Sequence, residues 1–255
     1  MINIIGFAGK KQSGKNTAAN FIMGAYLVEL GIVRGNFSIT NKGELAISDI
    51  HGNTDVAGVI DLTTPTPDIL EFKDKYVSPY IKLYGFADLL KQEVCMKILG
   101  LTYEQCYGTD EQKNQMTKLC WENMPGYQEK QTGQMTARDT MQYIGTNIFR
   151  KMYNDVWVHA LIRQIQHEQP LLAIITDCRF PNEVEGIQNV GGRIIKLTRF
   201  VDNEDKHLSE TALDKDNFDL NKFDYILDNK DMSIPEQNDA LYEVLREWDC
   251  IPELK

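Results

Sequence analysis

The chain has 255 residues, 42% of them hydrophobic, and a formal net charge of −10. That apolar content is enough to bury a full core in one large domain or two small ones. The acidic balance excludes a broad nucleic-acid footprint, which needs clustered Lys and Arg, so a bound anion must sit in a local basic pocket.

The N-terminal apolar run has no basic segment ahead of it and stops at Gly9 and two lysines. It is too short for a signal peptide or a membrane span, and a cytoplasmic protein without a membrane partner is expected. Cys95, Cys106, Cys120, Cys178 and Cys250 form no Cys-x-x-Cys pair and are odd in number, which suggests reduced, mostly buried thiols and no zinc site.

Several apolar runs rich in β-branched residues are each followed by a turn signal and then a helical pattern. This predicts an α/β fold around a five-stranded parallel sheet. The first run, INIIGF at 2–7, leads into GKKQSGKNT at 9–17, which is too polar and glycine-flanked to continue a strand. In the helix expected next, Ala18, Phe21, Ile22 and Ala25 fall on one face. Residues 36–62 alternate apolar and polar around Asn41-Lys42-Gly43 and Gly52-Asn53, the pattern of a β-hairpin or small meander, and TTPTPD at 63–68 closes it as an irregular loop. The β-rich insertion is thus placed at 36–75, within a single domain spanning 1–255.

The second core strand is IKLYGF at 81–86, which leaves Phe86 and Asp88 at its C-terminal end. Polar, glycine-containing residues 122–136 suit a lid loop over a site. Thr136-x-x-Asp139 reads as the N-cap of a helix on which Met141, Ile144, Ile148 and Met152 share a core face. Three further strands are expected at 171–176 (LLAIIT), 193–198 (RIIKLT) and 224–228 (DYILD).

Gly9, followed by four residues and then Gly14-Lys15, matches the G-x-x-x-x-G-K phosphate-loop signature, and it lies between a strand and a helix as that loop should. Glycines let successive backbone N–H groups turn inward around a phosphate, and the helix N-terminus adds its dipole. Lys15 supplies a point charge to β- and γ-phosphates. The residue after Lys15 is Asn16 and the hydroxyl comes one place later at Thr17, so the position facing a magnesium ion is open between the two.

Asp177 stands at the C-terminal end of an apolar strand, where ligands of open α/β sheets collect, and Arg179 puts a cation beside it. The structural alternatives are an N-cap for Asp177 and a surface ion pair for Arg179. Upstream, Arg138 begins a helix and Gly145-Thr146 interrupts its apolar face at a cost of ~1 kcal/mol relative to alanine. Close approach by a ligand and tight helix packing account for Gly145 equally well. Trp157, further along, reads equally as a core residue or a wall for a nucleotide. Asn221-Lys-Phe-Asp224 imitates a guanine-reading Asn-Lys-x-Asp motif, but that motif should close a strand, and here an apolar run follows it. His51, His159, His167 and His207 are scattered and suggest no catalytic dyad.

GKKQSGKNT, YGFADLLK (84–91), RDTMQYIGT (138–146) with Trp157, TDCRFPNEVE (176–185), GGRIIKLTR (191–199), HLSE (207–210) and YILDN (225–229) follow one another through nearly the whole chain. In this order and spacing the sequence resembles bacteriophage deoxynucleoside monophosphate kinases, and a Gly-Lys-x-Thr loop ending is familiar in nucleoside monophosphate kinases. The resemblance implies a P-loop, adenylate-kinase-like fold with three α/β/α layers. It also implies transfer of the γ-phosphoryl group of ATP to a deoxynucleoside 5′-monophosphate (dNMP), with Mg2+ as cofactor.

By that resemblance Ser13, Gly14, Lys15, Asn16 and Thr17 surround the ATP phosphates. Lys11, Arg138, Gly145, Thr146, Trp157, Asp177, Arg179 and Glu183 fall on positions that bind the dNMP. Lys15, Arg138, Asp177 and Arg179 carry the catalytic roles, and Thr17 and Asp177 are the metal positions, Asp177 through a water. Where some members carry a basic residue after the position of Lys11, this chain has Gln12. Small-molecule nucleotides are the implied partners, and a homodimer is left open. Two other readings stand beside this one: another P-loop small-molecule kinase acting on a coenzyme precursor or sugar acid, and a nucleotide-binding regulator without phosphoryl transfer.

Overall fold

The computed structural model describes residues 3–33, 36–47, 58–60, 71, 73–128, 131–199 and 208–250. The chain divides into two compact units, Met1–Tyr84 with Ile165–Lys255, and Gly85–Gln164. Strand β1 (Asn3–Ala8) leads into helix α1 (Lys15–Glu29), followed by short strands β2 (Phe37–Ile39), β3 (Leu45–Ile47) and β4 (Gly58–Ile60), and then β5 (Ile81–Tyr84).

The second unit contains a π-helical stretch, Leu90–Ile98, with α2 (Tyr103–Tyr107), α3 (Asp110–Lys113), the strands β6 (Met116–Cys120) and β7 (Gln134–Thr136), and α4 (Ala137–Gln142). A second π-helical stretch, Tyr143–Arg150, continues α4, and α5 (Val156–Glu168) leads back to the first unit. There β8 (Leu172–Cys178), α6 (Pro181–Asn189), β9 (Arg193–Leu197), α7 (Leu208–Thr211), β10 (Tyr225–Leu227) and α8 (Ile234–Glu247) complete the described chain.

The central sheet has the order β10-β9-β1-β8-β5, and every pairing in it is parallel. Its strands are the five apolar runs read from the sequence, with ends within about two residues of those expected. Ile4 pairs with Ala173 on one side of β1, and Ile5 pairs with Arg193 on the other. Because the strands run the same way, the C-terminal ends of β1, β8, β9 and β10 open on one edge of the sheet. The connection from β8 to β9 crosses over β1, so strand order reverses at the strand that carries the phosphate loop. Ligands of open α/β sheets bind at such a switch point.

Ile5 and Phe7 of β1 pack in one core with Ala18, Ala19 and Ile22 of α1 and with Leu241 and Leu245 of α8. Helix α1 is buried on more of its circumference than the one face its periodicity predicts, because Asn20, Met23, Gly24 and Leu27 are buried as well. The antiparallel sheet β2-β3-β4 supplies the second cover. The Phe21 and Phe37 ring centroids lie 5.8 Å apart, and a methyl group added at Gly24 would fall 2.3 Å from Phe37 and 2.7 Å from Leu45. Residues 63–68, read as an irregular loop, lie outside the described residues, as do His51 and His207.

In the second unit, Thr136 caps α4 as expected: its hydroxyl accepts the Asp139 N–H and the Asp139 carboxylate accepts the Thr136 N–H. The apolar stripe drawn onward from Met141 does not reach Met152, which is 74% exposed. From Tyr143 the helix winds as a π-helix, which closes i→i+5 rather than i→i+4 bonds and rotates later residues off the 3.6-residue register. Within 122–136, the expected lid loop, Gln134–Thr136 form β7, paired with β6. The Glu122 carboxylate accepts the Gly133 N–H at 2.7 Å. Among the described residues no helix is long and apolar enough to cross a membrane.

Candidate active site

The loop after β1 is shaped by backbone that other residues resist. Gly9 and Gly14 have φ of 151° and 96°, and a methyl group at Gly9 would fall 2.6 Å from Ser13 Oγ and 2.9 Å from the Leu197 carbonyl. Gln12, with φ 62°, holds a left-handed conformation that costs a non-glycine residue roughly 1–2 kcal/mol. Such strain collects at ligand sites.

Lys15 is buried inside this loop, with its ammonium donating to the carbonyls of Gly9 at 2.8 Å and Lys10 at 2.6 Å and to Ser13 Oγ at 3.3 Å. Burial above all, and then the Arg179 guanidinium, pull its pKa down to about 7, while Asp177 opposes the shift. A cation so poorly solvated gains strongly from a phosphate.

The loop is tied to the far side of the sheet by Asn229, just beyond β10. Asn229 is fully buried; its amide donates to the Ser13 carbonyl at 2.9 Å and to Gln237 Oε1 of α8 at 2.6 Å. Its Oδ1 accepts the Arg199 N–H at 2.8 Å, and the Arg199 guanidinium donates back to the Asn229 carbonyl at 2.9 Å and 3.2 Å.

The first turn of α1 is held by the inserted sheet. Asn20 donates to the Gly43 carbonyl at 2.8 Å, and a methyl group at Gly43, which has φ +81°, would lie 2.3 Å from Thr17 Oγ1. The Thr17 hydroxyl therefore packs directly on the β2-β3 turn, whereas Asn16 is exposed.

Asp177 and Arg179 come from the end of β8 and the turn into α6. Glu183, placed by resemblance on the acceptor nucleotide, is 2% exposed, and its carboxylate accepts the N–H groups of Arg179 at 2.7 Å and Phe180 at 3.0 Å. It caps α6 and fixes the Arg179 backbone. The Arg179 guanidinium is paired with Glu210 of α7, and the other oxygen of that carboxylate accepts the Lys11 N–H at 3.2 Å. Nearby, Lys10 pairs with Asp214 at 2.7 Å. Lys196 donates to the Leu213 carbonyl at 3.1 Å, and burial lowers its pKa.

One magnesium ion carried with ATP asks for only one or two protein oxygens beside the phosphates. Asp177, near enough to act on the charge of Lys15, and the first-turn oxygens of Asn16 and Thr17 fit that demand.

Arg138, Gly145, Thr146 and Trp157 belong to the other unit. Arg138 Nη2 meets Asp110 at 2.7 Å and its Nε donates to Asn114 at 3.1 Å, a partly exposed pair that holds the guanidinium at little energy. A methyl group at Gly145 would fall 2.7 Å from Leu90, so tight helix packing is reason enough for the glycine. Trp157 is buried; its indole N–H donates to the Gly145 carbonyl at 3.1 Å and its ring packs on Phe149 at 5.0 Å. Thr146 is half-buried. Phe86 is also buried, and Asp88 accepts the Tyr107 hydroxyl at 3.1 Å. The guanine-reading motif is excluded by its setting: Asp224 precedes β10 and accepts the Ile194 N–H at 2.8 Å.

A family model for deoxynucleotide monophosphate kinases matches residues 73–234. The chain belongs to that family. It is also 30% identical over 142 residues to a protein of Acanthamoeba polyphaga mimivirus provisionally named a deoxynucleotide monophosphate kinase, an alignment covering 51% of this chain and 67% of the relative. As a member of a nucleotide kinase family, the chain carries Asp177, Arg179, Arg199, Glu210 and Asn229 within the matched stretch, while the phosphate loop precedes it. Glu210 and Asn229 lie in the HLSE and YILDN stretches, to which the sequence alone gives no individual role. Their signal was position alone, a polar residue just past a strand or beside a cation-rich turn.

Proposed function

We propose that the protein transfers the γ-phosphoryl group of ATP to a deoxynucleoside monophosphate, giving the diphosphate and ADP. The observation that carries this reading is the buried, desolvated Lys15 inside a glycine-shaped loop, with Asp177 and Arg179 brought to it from β8. The loop N–H groups and Lys15 hold the β- and γ-phosphates of ATP, with Ser13, Gly14, Asn16 and Thr17 around them. Arg179 neutralises charge that builds on the transferring group, and its planar fork suits bidentate contact with phosphate oxygens.

Lys11 serves the acceptor phosphate in the first unit; in the second unit, Arg138, Gly145, Thr146 and Trp157 are the residues that the resemblance assigns to the acceptor nucleotide. Glu183 serves that site indirectly, by positioning Arg179. The acceptor is already an anion at neutral pH, so its attacking oxygen needs no general base, and the protein's task is positioning and charge neutralisation. Asp177 and Thr17 would hold Mg2+, which would supply charge neutralisation on the donor phosphates.

Anion-exchange chromatography of a reaction containing ATP, Mg2+ and one dNMP tests this reading. Equimolar ADP and deoxynucleoside diphosphate are expected; ADP with inorganic phosphate and no diphosphate would count against it.

A further inference from the structure

The Arg179 guanidinium and the Lys11 backbone N–H, two donors that the resemblance puts at the acceptor, share one partner in this structure. One carboxylate, Glu210, uses one oxygen on the Arg179 guanidinium and the other on the Lys11 N–H of the phosphate loop. Both groups would otherwise be offered to a phosphate. The Glu210 side chain is 7% exposed while that of Arg179 is 32% exposed, so the acid is the inner partner and the arginine keeps a solvent-facing side. Four residues on, Asp214 pairs with Lys10, so one stretch of chain supplies the carboxylates for Lys10 of the loop and Arg179 of the turn after β8. Among the described residues, the helix that carries Glu210, α7, spans Leu208–Thr211.

We propose that Glu210 is an internal stand-in for the acceptor phosphate. Resting on the reading of this site as a phosphoryl-transfer site, the inference is that the incoming phosphate exchanges with the Glu210 carboxylate on Arg179 and Lys11. Two consequences follow. Affinity for the acceptor is a difference between two anions competing for the same donors, so Glu210 sets KM. Without acceptor, Arg179 stays on Glu210 and is withheld from the γ-phosphoryl group, which suppresses transfer of that group to water.

Glu210→Gln keeps the shape and removes the charge. Calorimetric titration with inorganic phosphate is expected to show about tenfold tighter binding to this variant than to the unaltered protein, equivalent to the loss of one weak competing charge. Acceptor-independent ATP hydrolysis should rise and KM for the dNMP should fall, with kcat changed less than KM. In the unaltered protein, the side-chain carboxyl ¹³C signal of Glu210 should move as phosphate is titrated, a measurement that needs no variant to fold.

Phosphate affinity that is unchanged or weaker in Glu210→Gln, a loss confined to kcat, absence of phosphate binding in both forms, or a Glu210 signal that stays still while phosphate binds would each overturn the proposal. Phosphate exchange at Glu210 in a protein with no acceptor-dependent turnover would instead leave this inference standing and remove the kinase reading.

Discussion

Asn229 and Ser13 stand 216 residues apart in sequence and are joined by a 2.9 Å hydrogen bond from the Asn229 amide to the Ser13 carbonyl. The same amide reaches Gln237 of α8, so the phosphate loop is braced by the last strand and the last described helix. Asn229→Ala leaves a buried carbonyl and a buried Gln237 oxygen without this donor, a loss of about 1–3 kcal/mol. Urea denaturation should show that loss, and ATP binding should weaken with it because the loop is no longer pinned. Unaltered stability would show that the brace is dispensable.

Lys15 links function to pH. Its pKa in the folded protein is lowered to about 7 from 10.5, so above about pH 7 the ligand-free protein loses this proton, whereas a bound phosphate favours the charged form. The complex therefore holds more protons, and ATP affinity falls as pH rises above about 7, by at most tenfold per pH unit for one proton. Calorimetry at pH 8 in buffers of different ionisation enthalpy should detect proton uptake on binding. Uptake that persists in Lys15→Met would assign it to another group.

The same depressed pKa makes Lys15 a burden on the fold. Between about pH 7 and 10.5 the unfolded chain binds more protons at this residue, so its linkage term makes stability rise with pH across that window. Lys15→Met removes a buried, poorly compensated charge and should raise the denaturation midpoint at pH 7 while abolishing phosphoryl transfer. A variant less stable than the parent would show that the ammonium's three hydrogen bonds outweigh its desolvation.

Turnover should depend on Arg179 through charge rather than packing. Arg179→Ala is expected to lower kcat about 10²-fold or more, since one charge stabiliser of a transition state contributes roughly 3–4 kcal/mol. Normal turnover in this variant would take Arg179 off the catalytic surface.

Gly43 tests whether the inserted sheet belongs to the site. A methyl group there meets Thr17 Oγ1 at 2.3 Å, so Gly43→Ala should displace the first turn of α1 and weaken ATP binding about tenfold or more. Lys42→Ala, at an exposed neighbouring position, should leave it unchanged. Equal affinities in all three proteins would make the insertion a mere cover for α1.

The parts of the molecule legible in the sequence were those coded locally. Apolar runs such as LLAIIT gave the strands because parallel strands are buried on both faces, and Thr136 with Asp139 gave a helix cap because its partners are three residues apart. The spacing of Gly9, Gly14 and Lys15 marked a glycine-shaped loop between β1 and α1 for the same reason. What stayed hidden depends on distant partners: Asn229 on Ser13, Glu210 on Arg179, and Gly145 on Leu90. Met152 was misplaced because a π-helical stretch carries no signature in apolar spacing, and the hold of Glu183 on the Arg179 and Phe180 N–H groups was hidden because it depends on a turn that sequence pattern does not shape.

The measurement closest to the central claim is ADP release coupled to a spectroscopic readout, with ATP and Mg2+, against separate panels of dNMPs, ribonucleoside monophosphates and no acceptor, for the parent and Lys15→Ala. The account predicts ADP release that requires a deoxynucleotide and vanishes in Lys15→Ala while that variant remains folded. Release that ignores the acceptor, or that survives the loss of Lys15, would contradict it.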